Sequence, residues 1–313
     1  MPRLTALLIG VVAMAATAAI SASPAAARPP VTNGKIVTGS DNLVTNEEQV
    51  YTVDPDGTDE QLVANNSEAG QWSPDGTLIS LFFQLLNPDD GSIIDLNLPA
   101  QYPDLFLPCG VWTPDGTRLA CEGFGQTDPN LNGVYTIRSS DGGDLQRVTS
   151  APFGDDCPAD YSPNGKRLLI SNGAIAVIHS DGSGRQQITP PGMFSDFCSG
   201  SWSPQGNEIV FSAKVPDFNY HSSIWVVHSD GSGLRQIPVP GPCGGPFGDP
   251  TTIGCSNPVW SPDGKKIVFG RRVGIEQRDL YTVNADGSGL FQVTHTPNIS
   301  EGNGDWGTHP LTP

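Results

Sequence analysis

Positive charge is scarce in this chain: 16 Lys and Arg stand against 33 Asp and Glu, a formal net charge of −17 at pH 7. Nucleic acid, whose phosphates need a basic surface, is thereby excluded as a partner. The balance favours solubility and a cationic ligand. Cysteine is sparse, at six residues, and no C-x-x-C occurs; in an exported chain this reads as disulfides, not as metal or redox chemistry. Neither G-x-S-x-G nor H-E-x-x-H is present, so the sequence offers no linear hydrolase or metallopeptidase signature. No helical pattern of useful length follows the first 27 residues, and no second apolar stretch there approaches the ~20 residues of a membrane span.

The single long apolar run is at the N-terminus. Arg3 precedes Leu4–Ile20, and Ala25-Ala26-Ala27 offers a small-residue cleavage site. Residues 1–27 are therefore expected to be a signal peptide, with residues 28–313 as one all-β domain, secreted to the extracellular space or periplasm and monomeric.

What is abundant is turn chemistry, with 37 Gly and 29 Pro, and it repeats. Trp72-Ser73-Pro74-Asp75-Gly76 returns as Trp112-Thr113-Pro114-Asp115-Gly116, Tyr161-Ser162-Pro163-Asn164-Gly165, Trp202-Ser203-Pro204-Gln205-Gly206 and Trp260-Ser261-Pro262-Asp263-Gly264. Asp305-Trp306-Gly307 is a degenerate sixth copy. The aromatics are 40, 49, 41, 58 and 46 residues apart, the period of a four-stranded propeller blade. Within each copy Pro sets φ at the first corner, Asp or Asn bonds its own backbone, and Gly takes φ > 0. A β-rich run follows each full turn, as in Arg167–Ile170 and Lys266–Phe269. A second turn closes the outer hairpin: Asp56-Gly57, Asp141-Gly142, Asp181-Gly182, Asp230-Gly231 and Asp286-Gly287. The unit between Trp72 and Trp112 lacks this outer turn and is the least regular.

The chain opens on a strand, Lys35–Thr38, with no Trp-Ser-Pro copy before it and closes on a copy with nothing after it. The two ends are expected to complete one blade, giving a six-bladed β-propeller of four-stranded antiparallel blades without exposed edges. Trp-Ser-Pro-Asp-Gly hairpins followed by Tyr281-Thr282-Val283-Asn284-Ala285-Asp286-Gly287-Ser288-Gly289 resemble the repeat of the TolB-type, WD-related β-propellers. That resemblance covers the chain after residue 27. It implies a TolB-like C-terminal propeller without the N-terminal α/β domain, binding peptides of partner proteins at its channel mouth.

In such a ring the segments entering the innermost strands surround one mouth of the channel. They carry Glu68, Asp155, Asp156, Asp196 and Glu301, four to six residues before their aromatics. These five are the expected ligand-binding residues, a negative ring for a basic peptide or a cation; the alternative is ordinary solvated loop acids. Asp54-Pro55-Asp56-Gly57-Thr58-Asp59 opens like an EF-hand loop but lacks the bidentate Glu and flanking helices, and is read as a turn. His179 and His228 share one repeat position and are read as structural. No catalytic or metal-ligating residue and no cofactor is assigned; Ca2+ in the channel is the one ion left open.

For the cysteines, Cys109 and Cys121 lie symmetrically six residues either side of Asp115 and face each other in a hairpin. Cys243 and Cys255 flank a long insertion, and Cys157 and Cys198 hold equivalent places in adjacent blades. The expected function is a secreted interaction module for a protein or peptide partner, not an enzyme. The alternatives are a propeller lactonase, lyase or other metal-dependent hydrolase assembled from several blades, or a carbohydrate or cell-wall binder using loop aromatics such as Phe153, Phe194, Phe218, Tyr220 and Phe247.

Overall fold

The computed structural model describes residues 32–68, 70–151, 156–214, 220–241, 243–246, 253–274 and 276–311. Six antiparallel blades stand in a ring, numbered here from the closing blade. Blade one runs, from the channel outward, Ile299–Trp306, Ile36–Asn42, Glu47–Val53 and Gln61–Asn65. Its first strand comes from the C-terminal end and its second from the N-terminal end, with Ile36 opposite Trp306 and Asn42 opposite Ile299. The six-bladed ring is thus closed by hydrogen bonds between its two ends, which removes both free edges.

Blade four is Cys157–Tyr161, Arg167–Ser171, Ile175–His179 and Gln186–Gln187; blade six is Cys255–Trp260, Lys266–Arg272, Arg278–Asn284 and Phe291–Gln292. Blades three and five follow the same order and each gains a short extra pairing, Leu105–Phe106 on Arg118–Gly125 and Phe194–Ser195 on Glu208–Lys214. Blade two is contracted: Ile79–Ser80, Gln84–Leu86 and Ile93–Asp95 form its sheet, and its inner strand is reduced to a bridge between Trp72 and Ile79.

The repeat motif explains the hairpins. Ser73 Oγ donates to Asp75 Oδ1 at 2.6 Å and accepts the backbone N–H of Leu78 at 2.9 Å, while the Gly76 N–H closes the turn onto the Ser73 carbonyl at 2.8 Å. The hydroxyl before Pro does the same in blades three, four and six. Outside blade two, each outer turn is built on its Asp; Asp181 Oδ1 accepts the Ser183 N–H at 2.9 Å and its hydroxyl at 2.6 Å. Gly182, at φ +86, also packs between blades: a Cβ there would lie 1.9 Å from the Val148 carbonyl oxygen of blade three.

The core sits between blades. The described residues form six buried apolar clusters, one at each seam. The seam between blades three and four, for example, joins Val111, Ala120 and Val134 to Tyr161, Leu168 and Ile170. The motif aromatics Trp72, Trp112, Tyr161, Trp202, Trp260 and Trp306 are all buried there. Three disulfides add cross-links: Cys109–Cys121 across the inner hairpin of blade three, Cys157–Cys198 between the entries of blades four and five, and Cys243–Cys255 in the approach to blade six. No helix among the described residues is long and apolar enough to cross a membrane. The signal-peptide expectation for residues 1–27 falls outside the described residues.

Candidate functional site: the channel mouth

The segments that enter the inner strands surround one cavity of about 370 Å³, to which all six blades contribute. Its walls are largely apolar: Phe82 and Phe197, the prolines Pro108, Pro158 and Pro258, and Val111 and Val259. Phe197 is about half exposed, so an aromatic ring stands at the rim. Glu68, Glu122 and Asp305 are its acidic lining residues, and the Cys157–Cys198 disulfide also borders it.

The residue immediately before each motif aromatic forms a second ring of equivalent positions, four of which, Gln71, Val111, Val259 and Asp305, line the cavity. Round the ring these are Asp305, Gln71, Val111, Asp160, Ser201 and Val259. The sequence acid, polar, valine occurs twice, so blades one and four place their aspartates on opposite sides of the channel. Each aspartate also latches the next blade: Asp305 Oδ2 accepts the Trp72 N–H at 2.8 Å, and Asp160 Oδ2 accepts the Trp202 N–H at 2.7 Å. Gln71 reaches over to donate to the Ala159 carbonyl at 3.1 Å. Both aspartates are walled by protein. That desolvation pushes Asp160 up to about 7, with a further push from the charge of Asp305, and Asp305 up to about 6; the Trp N–H donors oppose both shifts. Glu68 is also held above the usual carboxylate range, first by desolvation and then by Glu48 and Asp41.

Of the five acids expected at the mouth, Glu68 lines the cavity and three described ones do not. Asp156 is buried and holds Arg185 Nη1 at 2.9 Å. Asp196 accepts the hydroxyls of Ser212 and Ser222, both at 2.6 Å, with Lys214 Nζ at 3.9 Å. Glu301 is fully buried at the seam of blades one and six, accepting the Thr294 hydroxyl at 2.7 Å. Asp155 lies outside the described residues, as do Phe153, Phe218 and Phe247.

The inner strands of blades one, three, four and six each shift register, at Glu301/Asn303 (opposite Gly39 and Ser40), Cys109/Val111, Pro158/Asp160 and Ser256/Val259. Such a bulge breaks the two-residue alternation, so distance from the aromatic does not by itself fix where an entry residue points. Asp160 and Asp305 were missed for want of one comparison, that of the residue before each aromatic.

Other candidate groups resolve into structure. Asp54 and Asp59, in the EF-hand-like stretch, flank Lys35 Nζ at 2.8 and 2.6 Å. His179 and His228 bond Ser183 and Ser232 in their own turns. A second cavity, about 490 Å³ between the Pro-Asp-Gly turns of blades two and three, is lined by Asp75 and Asp115, whose carboxylates are occupied by those turns.

No protein-family model and no curated protein matches the sequence. Solved structures do match in fold. TolB from Acinetobacter baumannii superposes with a TM-score of 0.67 at 16% identity, over 89% of this chain and 67% of that one. A putative TolB from Agrobacterium tumefaciens gives 0.60 at 19% identity, over 89% and 94%. An oligogalacturonate lyase in complex with manganese gives 0.54 at 13% identity, over 86% and 85%. The chain has a TolB-like propeller fold.

Proposed function

We propose that this protein is an exported interaction module whose channel mouth takes up a short peptide segment of a partner, apolar along its length and carrying a Lys or Arg that points down the channel. The observation that carries this reading is how the acids are distributed. Asp156, Asp196 and Asp54, all outside the cavity, have a Lys or Arg of the chain beside them. Glu68 and Asp305, which line the cavity, and Asp160, on which the charge of Asp305 bears, have no such ion pair among the described residues. A cationic head supplied by a partner would complete them, while Phe82, Phe197 and the prolines accept its apolar stem and neighbours. The TolB-like fold supports an interaction role, and three disulfides fit an oxidising compartment.

The test is binding, measured calorimetrically at low and high salt, of short peptides that pair Leu or Phe with Arg, against the same peptides with Glu in place of Arg. The triple variant Glu68→Gln, Asp160→Asn, Asp305→Asn keeps one acceptor oxygen at each position, enough for the Trp N–H donors, and removes the charge. Tighter binding of the Arg peptides that weakens with salt and is lost in the triple variant supports the reading. Equal binding of both peptide sets, or no effect of the triple variant, overturns it.

A further inference from the structure

The Cys157–Cys198 disulfide differs from the other two in what surrounds it. Cys109, Cys121, Cys157, Cys243 and Cys255 are all buried, and Cys198 alone is exposed. Both halves of this bond line the channel-mouth cavity, as does the buried Glu122. One carboxylate oxygen of Glu122 and the two sulfurs all lie within 4.8 Å of one another. Neither of the other disulfides has an acid this close among the described residues. The ring assembles the group: Glu122 comes from the second strand of blade three, Cys157 from the inner strand of blade four, and Cys198 from the segment entering blade five.

The backbone at Cys198 has φ +51, in the left-handed region that an L side chain enters at a cost. The segment is fixed on both sides of this residue without help from its sulfur. Asp196 accepts the hydroxyls of Ser212 and Ser222, and its N–H donates to the Ser212 carbonyl at 2.9 Å. Ser199 Oγ accepts the Ser212 N–H at 3.0 Å and lies 2.9 Å from the Ser212 hydroxyl. Opening the disulfide would therefore relieve strain at Cys198 and leave its sulfur at the rim, with Phe197 beside it. A cross-link that only held blades four and five together would need neither an exposed half nor a neighbouring acid.

We propose that this disulfide is a thiol-exchange site, at which a cysteine-bearing peptide seated in the channel mouth is captured as a mixed disulfide on Cys198. The proton of the incoming thiol passes to the Glu122 carboxylate, directly or through one water. The thiol sulfur attacks Cys198 Sγ, a new S–S bond forms, and the Cys157–Cys198 bond breaks. The electron pair left on Cys157 Sγ takes the proton back from Glu122. One thiol and one disulfide become one disulfide and one thiol, so no outside oxidant or reductant is consumed. Attack falls on Cys198 because access governs which sulfur reacts, and Cys157 is buried. Cys157, freed but still anchored in its strand, attacks the mixed disulfide in the reverse step and releases the peptide.

The ligand is defined by its chemistry, a reduced cysteine flanked by apolar residues. Phe82, Phe197, Pro108, Pro158 and Pro258 line the same cavity and accept those flanks. This inference uses the cavity but not the pattern of acids, so it stands independently of the cationic reading above.

The test incubates the folded, oxidised protein with an uncharged probe, the capped tripeptide Leu-Cys-Phe, then alkylates free thiols and maps peptides without reduction. The expected product carries a single probe peptide on Cys198 and an alkylated thiol at Cys157, with Cys109–Cys121 and Cys243–Cys255 intact. Glu122→Gln should slow its formation several-fold and leave the final yield unchanged, whereas a merely structural role would move the yield. The wild-type map decides the matter even where that variant folds poorly. No adduct until denaturant is added, or adducts spread over all three bonds, overturns the proposal. An unchanged rate in Glu122→Gln overturns the part given to that carboxylate.

Discussion

Blades two and four answer the same structural demand by different means. Blade four is built from the repeat alone. Its four strands pair in order, its outer turn carries Asp181-Gly182-Ser183-Gly184, and Gly182 seats against the Val148 carbonyl of the preceding blade. In blade two the corresponding turn is Asn87–Gly91, and Gly91 has nothing within 4 Å of where a Cβ would stand. The seam there is held instead by the C-terminal tail. His309 stacks on Trp72 with ring centroids 4.7 Å apart, its Nδ1 donates to the Gly76 carbonyl at 2.8 Å, and its Nε2 lies 3.5 Å from Asp89. Phe106 also meets Phe83 edge-to-face and Phe124 at a tilt. A seam thus needs buried apolar area and a satisfied backbone, and the repeat is one of two ways to supply them.

The largest test of this contrast is truncation. Removing residues 301–313 takes away most of the inner strand of blade one together with the tail, and should abolish cooperative unfolding. Removing only residues 308–313 should leave a cooperative but lowered melt. Hydrogen exchange should then quicken across residues 72–95 and stay unchanged across blade four. Equal exchange in both regions would show that the tail does not hold blade two.

Glycine substitutions sharpen the contrast. Gly182→Ala faces both the left-handed backbone and the Val148 carbonyl, and should cost about 2–4 kcal/mol. Gly91→Ala, at φ +72 in open space, faces the backbone term alone, about 1–2 kcal/mol. Denaturant midpoints of the two variants measure the difference, and equal losses would remove the inter-blade role given to Gly182.

His309→Ala should cost about 1–2 kcal/mol, since the stack on Trp72 is lost and the Gly76 carbonyl loses its donor. His309→Phe keeps the stack without the hydrogen bond and should recover part of it, as read from chemical denaturation.

The smallest effect concerns a latch that an irregular and a regular blade share: Asp305 seats Trp72 of blade two and Asp160 seats Trp202 of blade five. Both acids are raised, to about 6 and about 7, so the folded state binds protons that the unfolded chain has released. Stability contributed by this excess is full below the ordinary carboxylate range and declines as pH rises to about 7. Asp160→Asn and Asp305→Asn keep the acceptor and should flatten that decline. Melts across this range that keep the wild-type slope in the double variant would count against the latch.

The fold was legible because its turns are local. Ser73 to Leu78 closes a hairpin by contacts within six residues, and five full copies of that unit spell out the blades before any long-range packing is considered. Ring closure was legible from the unmatched ends, Lys35–Thr38 and Asp305–Gly307. Cys109 opposite Cys121 followed from symmetry about Asp115, and the structure pairs them across one hairpin. The mouth was legible as a region, since the entry segments do surround one cavity. Its residues were not, with Glu68 the only described acid of the five to line it.

What the sequence determined by itself, then, is the blade: a period, two turn chemistries and an aromatic wedge, each a short-range consequence of Pro, Asp, Gly and a hydroxyl at set positions. What only the tertiary structure decided is which way the acids point. Register shifts in the inner strands and the packing of neighbouring blades set that direction, and the ring brings together residues hundreds of positions apart, as with Asp305 and Trp72. A carboxylate becomes a channel wall, an ion-pair member or a buried hydrogen-bond acceptor according to that geometry, and no local pattern around Glu68, Asp156 or Glu301 distinguishes the three.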